Sequence, residues 1–414
     1  MSTFAHFATH VQKYKGKHIY LYIFSAHTFF IYIFTGIIAY MIPIIFLQHG
    51  LTQTQMGFII GSSALFGALF DIILAKILPS THYRQLYLLF VCTCFTLVFL
   101  LWNAATIPMF FAVTAVWGLF YNFLHMGNFD FVSRETQPQE HASSFGVLNV
   151  FKALGMICAP LALALTFQKA APSSAFLSAL LWAGFSMGAF ALLLTIKDRH
   201  DQHRRQREEP HYKKMNFLLE LHIWKKLGVK LFPVLMFTLL IGIHASFFWT
   251  LAPLLTEQLK DNHFYGSFFI PMYIFPTLLV GWFVGPVTKM FGKKNTAYWF
   301  YIAGALVMLC IAFIHKTEHI VLLGFLSSLF GAFSIPAISG AYADYLSEAP
   351  QFDKEIESIE DFFTNIGSVI GPIGGGILAD IFGIKNAFAL FSVFAICLTL
   401  WVIKASPKKI TITS

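Results

Sequence analysis

A lysine stands inside an apolar run in "SSFGVLNVFKALGMICAP" (143–160). Lys152 is the only charge in that stretch, and Asn149 shares its helical face three residues earlier. A cation there could hold an anionic group of a substrate or pair with a coupling carboxylate. Its structural alternative is an ion pair with an acid such as Asp130 on a neighbouring helix. Three histidines, His27, His125 and His244, also fall within apolar runs. Histidine titrates near neutral pH and could carry a proton, although a lone buried histidine is commonly a packing residue. In "EIESIEDFFTNIG" (355–367), Glu357, Glu360, Asp361 and Asn365 follow helical spacing. Acids at a helix start are favoured by its dipole, which accounts for Glu355 and Glu357. Asp361 and Asn365 lie deeper and are candidates for binding, gating or proton transfer. Trp249, in "SFFWT", could line an apolar cavity.

Two further stretches echo one another. "GNFDFVSRE" (127–135) and "GAYADYLSEA" (340–349) each end an apolar run with Asp, an aromatic, an aliphatic and Ser, and then add another charge. The first carries Asp130 and Arg134, the second Asp344 and Glu348. Opposite charges at equivalent positions suggest a gate held by ion pairs; the alternative is two solvated helix ends.

These residues need elements that hold them at depth. The 414-residue chain is 57% hydrophobic and 12% charged, about half the charge of a soluble domain. Its apolar residues fall in blocks of about 20, the length of helix that crosses a bilayer core. The chain therefore reads as an all-α integral membrane protein whose backbone polar groups are satisfied inside helices. Twelve spans are expected, at about 19–43, 54–76, 85–104, 107–131, 144–167, 174–196, 229–254, 264–289, 295–315, 320–345, 359–382 and 387–405. Lys152 lies about 12 Å into the fifth at 1.5 Å per residue, too deep for its ammonium to reach the surface easily. A charge in hydrocarbon costs roughly 2.5 to 17 kcal/mol, so each one calls for a reason.

Of the 28 Lys and Arg, 23 fall in segments on one side and four, Lys169, Lys260, Lys316 and Lys385, on the other. The positive-inside rule puts the first side, with both termini, in the cytoplasm. The net charge of +8 reports topology and anionic lipid rather than nucleic acid. Five cysteines, all within spans, imply no disulfide framework, and no glycosylation sequon occurs. A bacterial inner membrane fits both.

The polar stretch 197–228 divides the chain into six-span halves, 1–196 and 229–414. Its second part, "MNFLLELHIWKK", has the pattern of a short amphipathic helix on the membrane surface. The halves align: Gly155 with Gly367, Pro160 with Pro372, Asp130 with Asp344, and Pro43 with Pro253. Such parallel six-span repeats are a transporter plan. Asn149 and Lys152 correspond to Asp361 and Thr364, so the two halves offer different charge at equivalent places.

On these residues the chain resembles the major facilitator superfamily. "GSVIGPIGGGILADIFGIKNAF" (367–388) carries the resemblance best, being similar to that superfamily's eleventh helix and following loop. "GPVTKMFGKK" (285–294) resembles its basic loop between helices 8 and 9, and Gly67 and Asp71 resemble the start of the corresponding loop between helices 2 and 3. The resemblance implies two pseudo-symmetric six-helix bundles, with helices 1, 4, 7 and 10 lining a cavity. On that frame Asn122 and His125 form a lining face of the fourth span. His27, His244 and Trp249 also fall on lining helices, and Asp71 joins Asp130, Arg134, Asp344 and Glu348 as a gate candidate.

The expected function is secondary active transport of a small molecule by alternating access, driven by a proton or another ion. The substrate is either an organic anion or an amphipathic, drug-like compound. A monomer in lipid, needing no cofactor or metal, is expected. No nucleotide-binding Gly-Lys-Ser/Thr loop occurs, which argues against ATP-driven transport. No convincing catalytic cluster points to an enzyme. A non-transporting receptor or scaffold on the same fold is the rival reading.

Overall fold

In hydrocarbon no water is available for backbone N–H and C=O groups, so apolar runs of this length close their hydrogen bonds within helices. The computed structural model describes residues 19–77, 83–136, 141–166, 173–197, 217–348 and 352–406, and their regular structure is helical throughout. In chain order the helices are α1 (Ile19–Gln48), α2 (Gln53–Ile77), α3 (Tyr83–Asn103), α4 (Ile107–Glu135), α5 (His141–Thr166), α6 (Ser173–Lys197) and α7 (Phe217–Asn262). A broken α8 follows (α8a, Phe269–Ile274; α8b, Pro276–Phe291), then α9 (Lys293–Leu309), α10 (Thr317–Glu348), α11 (Asp353–Phe382) and α12 (Ile384–Ala405). Eleven segments among the described residues are long and apolar enough to cross a membrane. The 25-residue α2 holds the position of the remaining expected span.

Two helices depart from simple spans. The stretch expected to form a separate surface helix is instead the start of α7, from Phe217 onward; Met215 and Asn216 lie outside the described residues. At 46 residues α7 is about 69 Å long at 1.5 Å per residue, more than twice the roughly 30 Å hydrocarbon thickness. It therefore extends beyond the bilayer. In α8 the break falls at Pro276, which has no N–H to donate. Single glycines, Gly292 and Gly383, join α8b to α9 and α11 to α12, each at a φ near +81°, where a side chain would be strained.

Two compact units arise. The first gathers α1 to Ile38, α3 to Val98, α4 from Phe120, and α5 and α6. The second holds the rest: α2, the remaining ends of α1, α3 and α4, and α7 to α12. α2 belongs to the second because it packs along α11.

Within each unit the internal repeat appears as the same contact made twice. In the first, α5 meets α1 at Gly155, where an added Cβ would lie 2.5 Å from the Phe29 carbonyl and 3.2 Å from the Ile33 nitrogen. In the second, α11 meets α7 at Gly367, where it would lie 2.6 Å from the Leu239 carbonyl and 2.7 Å from the Ile243 nitrogen. Phe29 and Ile33 correspond to Leu239 and Ile243 by the same spacing that relates Pro43 to Pro253. One turn on, the small residue changes sides. Gly36 of α1 faces Ala159 of α5, whereas Ser246 of α7 faces Gly371 of α11. The close approach persists while the glycine that permits it moves to the other helix.

Candidate functional site

Gly155 explains where Lys152 points. The glycine brings α5 against α1 beside Tyr32, and Lys152 lies three residues earlier on the same face. Its Nζ sits 5.2 Å from the centroid of the Tyr32 ring, within cation–π range. The Lys152 side chain is exposed. Among the described residues no carboxylate pairs with it, and the expected partner, Asp130, is bonded elsewhere. Tyr121 of α4 lies within electrostatic range of Tyr32. On the same helix His125 is exposed and packs its ring 4.7 Å from Phe129, which in turn lies 4.8 Å from Phe145 of α5. Asn122 is half-buried and Asn149 exposed. The first unit thus offers a cation over an aromatic ring, with phenol, imidazole and amide groups on the same helices. Tyr32 and Tyr121 were missed from sequence alone, since tyrosines on apolar helices carry no signal that separates lining from packing.

The other two histidines turn inward within their own units. His27 is 3% exposed. Its Nδ1 lies 2.7 Å from the Ser186 hydroxyl of α6, and its ring stands edge-on to Tyr87 of α3 at 4.7 Å. His244 of α7 is held at both nitrogens: Nδ1 is 2.9 Å from the Tyr301 hydroxyl of α9 and Nε2 is 3.1 Å from the Tyr273 hydroxyl of α8a. A small cavity beside this trio is lined also by Met308, Phe388 and Phe391. Trp249 is half-buried with its ring edge-on to Phe248. Each histidine bridges helices of one unit. His244→Phe should leave two phenols without their partner and lower stability by about 1–3 kcal/mol. Thermal unfolding in detergent checks this; an unchanged melting temperature with lost activity would return His244 to proton transfer.

On α11, Asp361 and Asn365 are exposed. Asp361 lies within electrostatic range of Asp71 on α2 and of Glu360, which also feels Glu357. Asp361, Glu360 and Glu357 of α11 thus stand near Asp71 of α2, where the two helices run together.

The echoed aspartates have equivalent local partners. Asp130 accepts the Tyr83 backbone N–H at 2.7 Å, at the first residue of α3. Asp344 accepts from Lys293 Nζ at 2.6 Å, at the first residue of α9. Tyr83 and Lys293 are repeat counterparts, so each aspartate fastens α4 or α10 to the start of the helix before it. Arg134 bonds Asp130 of its own helix at 2.6 Å. Glu348 closes α10, and its side chain lies outside the described residues.

An all-helical chain with two sets of equivalent helix contacts and polar groups held at membrane depth defines a membrane transporter of repeat architecture. The sequence model of the Major Facilitator Superfamily matches residues 24–355, and the chain belongs to that superfamily. No curated protein matches it by sequence. A crystal structure of a mutant of the nucleoside transporter NupG is similar with a TM-score of 0.74 at 13% identity, over 93% of this chain and 99% of that one. The crystal structure of a bacterial homologue of the human lysosomal transporter Spinster, in an inward-facing and unoccupied conformation, is similar with a TM-score of 0.63 at 13% identity, over 94% and 96%. At this identity the likeness concerns the fold. The protein is an integral multi-pass membrane transporter and not an enzyme.

Proposed function

We propose that this transporter moves a small organic anion by alternating access, coupled to protons, from a bacterial inner membrane with both chain termini in the cytoplasm. The observation that carries the anion is Lys152: an exposed cation at membrane depth, laid over Tyr32, with no acid paired to it among the described residues. An unpaired ammonium at that depth is costly, and a carboxylate or phosphate group of a substrate would offset the cost with a charge-assisted hydrogen bond. Tyr32, Tyr121, Asn122, Asn149 and His125 supply donors, acceptors and ring faces for the rest of the molecule. Proton coupling is assigned to Asp361, an exposed carboxylate on α11 that stands near Asp71 of α2 and Glu360 of its own helix.

The test is counterflow in proteoliposomes over a panel of organic anions, nucleosides and amphipathic cations. Exchange of anions alone supports the proposal. Nucleosides, the substrates for which the nucleoside transporter NupG is named, or amphipathic cations would replace it, and silence across the panel would favour a receptor or scaffold. Asp361→Asn should keep counterflow, which needs no net proton movement, and lose accumulation driven by a pH gradient. If the variant still accumulates substrate, the coupling proton binds elsewhere.

A further inference from the structure

The first turn of α2 has every donor accounted for. Thr52 and Gln55 form a reciprocal capping box: the Gln55 N–H donates to Thr52 Oγ1 at 3.1 Å, and the Thr52 N–H donates to Gln55 Oε1 at 3.0 Å. The Met56 N–H donates to the Thr52 carbonyl at 2.9 Å. The two remaining donors leave the helix. The Gln53 N–H goes to Oδ1 of Asp380 at 3.0 Å and the Thr54 N–H to its Oδ2 at 2.7 Å. Asp380 is in the last turn of α11, so one carboxylate from the second half caps a helix of the first with both oxygens.

Beneath this cap α2 and α11 run in backbone contact. A Cβ on Gly61 would lie 2.9 Å from the Val369 carbonyl, Gly57 abuts the Pro372 carbonyl, and Gly376 abuts that of Gln53. On the same membrane side α1 meets α7. Tyr40 Oη donates to Glu257 Oε1 at 2.7 Å, and Lys260 Nζ lies 3.7 Å from that oxygen. Tyr40 and Glu257 are 5% and 7% exposed. Both contacts join a first-half helix to a second-half helix, and all four segments belong to the second compact unit.

We propose that the Asp380 cap and the Tyr40–Glu257 bond form one latch, which holds shut the side that the Lys and Arg distribution assigns to the outside. This rests on the alternating-access reading above. A gate needs bonds strong enough to define a closed state and replaceable when it opens. A carboxylate on a helix N-terminus is favoured by the dipole, yet both partners are readily hydrated once separated. Glu257 and the Tyr40 hydroxyl likewise exchange one another for water, and Lys260 stays with the carboxylate. The glycine seam brings the two helices together backbone to backbone, and the hydrogen-bonded contacts of the latch lie at its outer end.

Hydrogen–deuterium exchange with mass spectrometry tests this on the purified full-length protein without any substrate, so failure to find a transported compound leaves the result intact. Asp380→Asn should speed exchange on the order of tenfold in peptides covering 51–61 and also in those covering 39–48 and 250–262, to which Asp380 makes no bond. Tyr40→Phe should give the same three-part pattern from the other end, and Asp380→Glu, which keeps the charge, should restore slow exchange. A rise confined to the first turn of α2 is what a simple helix cap predicts and would overturn the latch, as would no rise in either variant.

Discussion

Lys152→Ala should abolish counterflow of the transported anion while the protein still inserts, folds and melts as the parent does. The Lys152 side chain is exposed and its ammonium lies over the Tyr32 ring, so truncation opens no packed core. A hydrogen bond to a charged group is worth about 1.5–3 kcal/mol, which corresponds to roughly 10- to 100-fold in affinity. Lys152→Arg keeps the charge but spreads it over a planar fork. It should therefore retain binding at reduced rate, the result expected of a cation that meets an anion and not of one that merely fills space. Counterflow at several substrate concentrations separates the outcomes. Loss in Ala with partial recovery in Arg supports an anion contact, and full transport by Lys152→Ala removes Lys152 from the site.

The second large effect concerns the seam between α7 and α11. Gly371→Ala should destabilise the fold, because the new methyl meets the Ser246 hydroxyl, the Ile243 carbonyl at 2.5 Å and the Phe247 nitrogen at 2.8 Å. Overpacking of this kind costs about 1–3 kcal/mol. The first half shows what relieves it, since there the equivalent pair is Ala159 against Gly36. Adding Ser246→Gly should recover part of the loss, less the bond that Ser246 Oγ donates to the Gly367 carbonyl at 3.2 Å. Melting temperatures of the two single variants and the double give the interaction energy directly. Simple additivity would mean that the two halves do not share one packing solution at this position.

How much of this was legible beforehand differs by kind of contact. The helices were, because hydrocarbon leaves the backbone no other partner. The pairing of Gly155 with Gly367 and of Asp130 with Asp344 was legible because the duplicated chain keeps them in order, and the structure places both pairs in matching surroundings. The exchange of glycine between α1 and α11 was hidden, since an alignment of Gly36 with Ser246 reads as a mismatch until both sides of the contact are seen. For His27 and His244 the helix could be inferred and the face could not: His27 packs against α3 and α6, and His244 bonds α8a and α9 beside a small cavity that it helps to line. The partners of Asp380 lie more than 320 residues away, beyond any local pattern, although the capping box at Thr52 and Gln55 marks the helix start it serves.

The central claim is that this superfamily member drives an organic anion across the membrane with protons. It is tested most directly with the purified protein in liposomes, by following a labelled anion after a pH jump across the membrane. Accumulation above the equilibrium level that collapses when a protonophore is added is the predicted result. Equilibration that ignores the gradient, or no entry of any anion while a neutral or cationic compound moves, would contradict it.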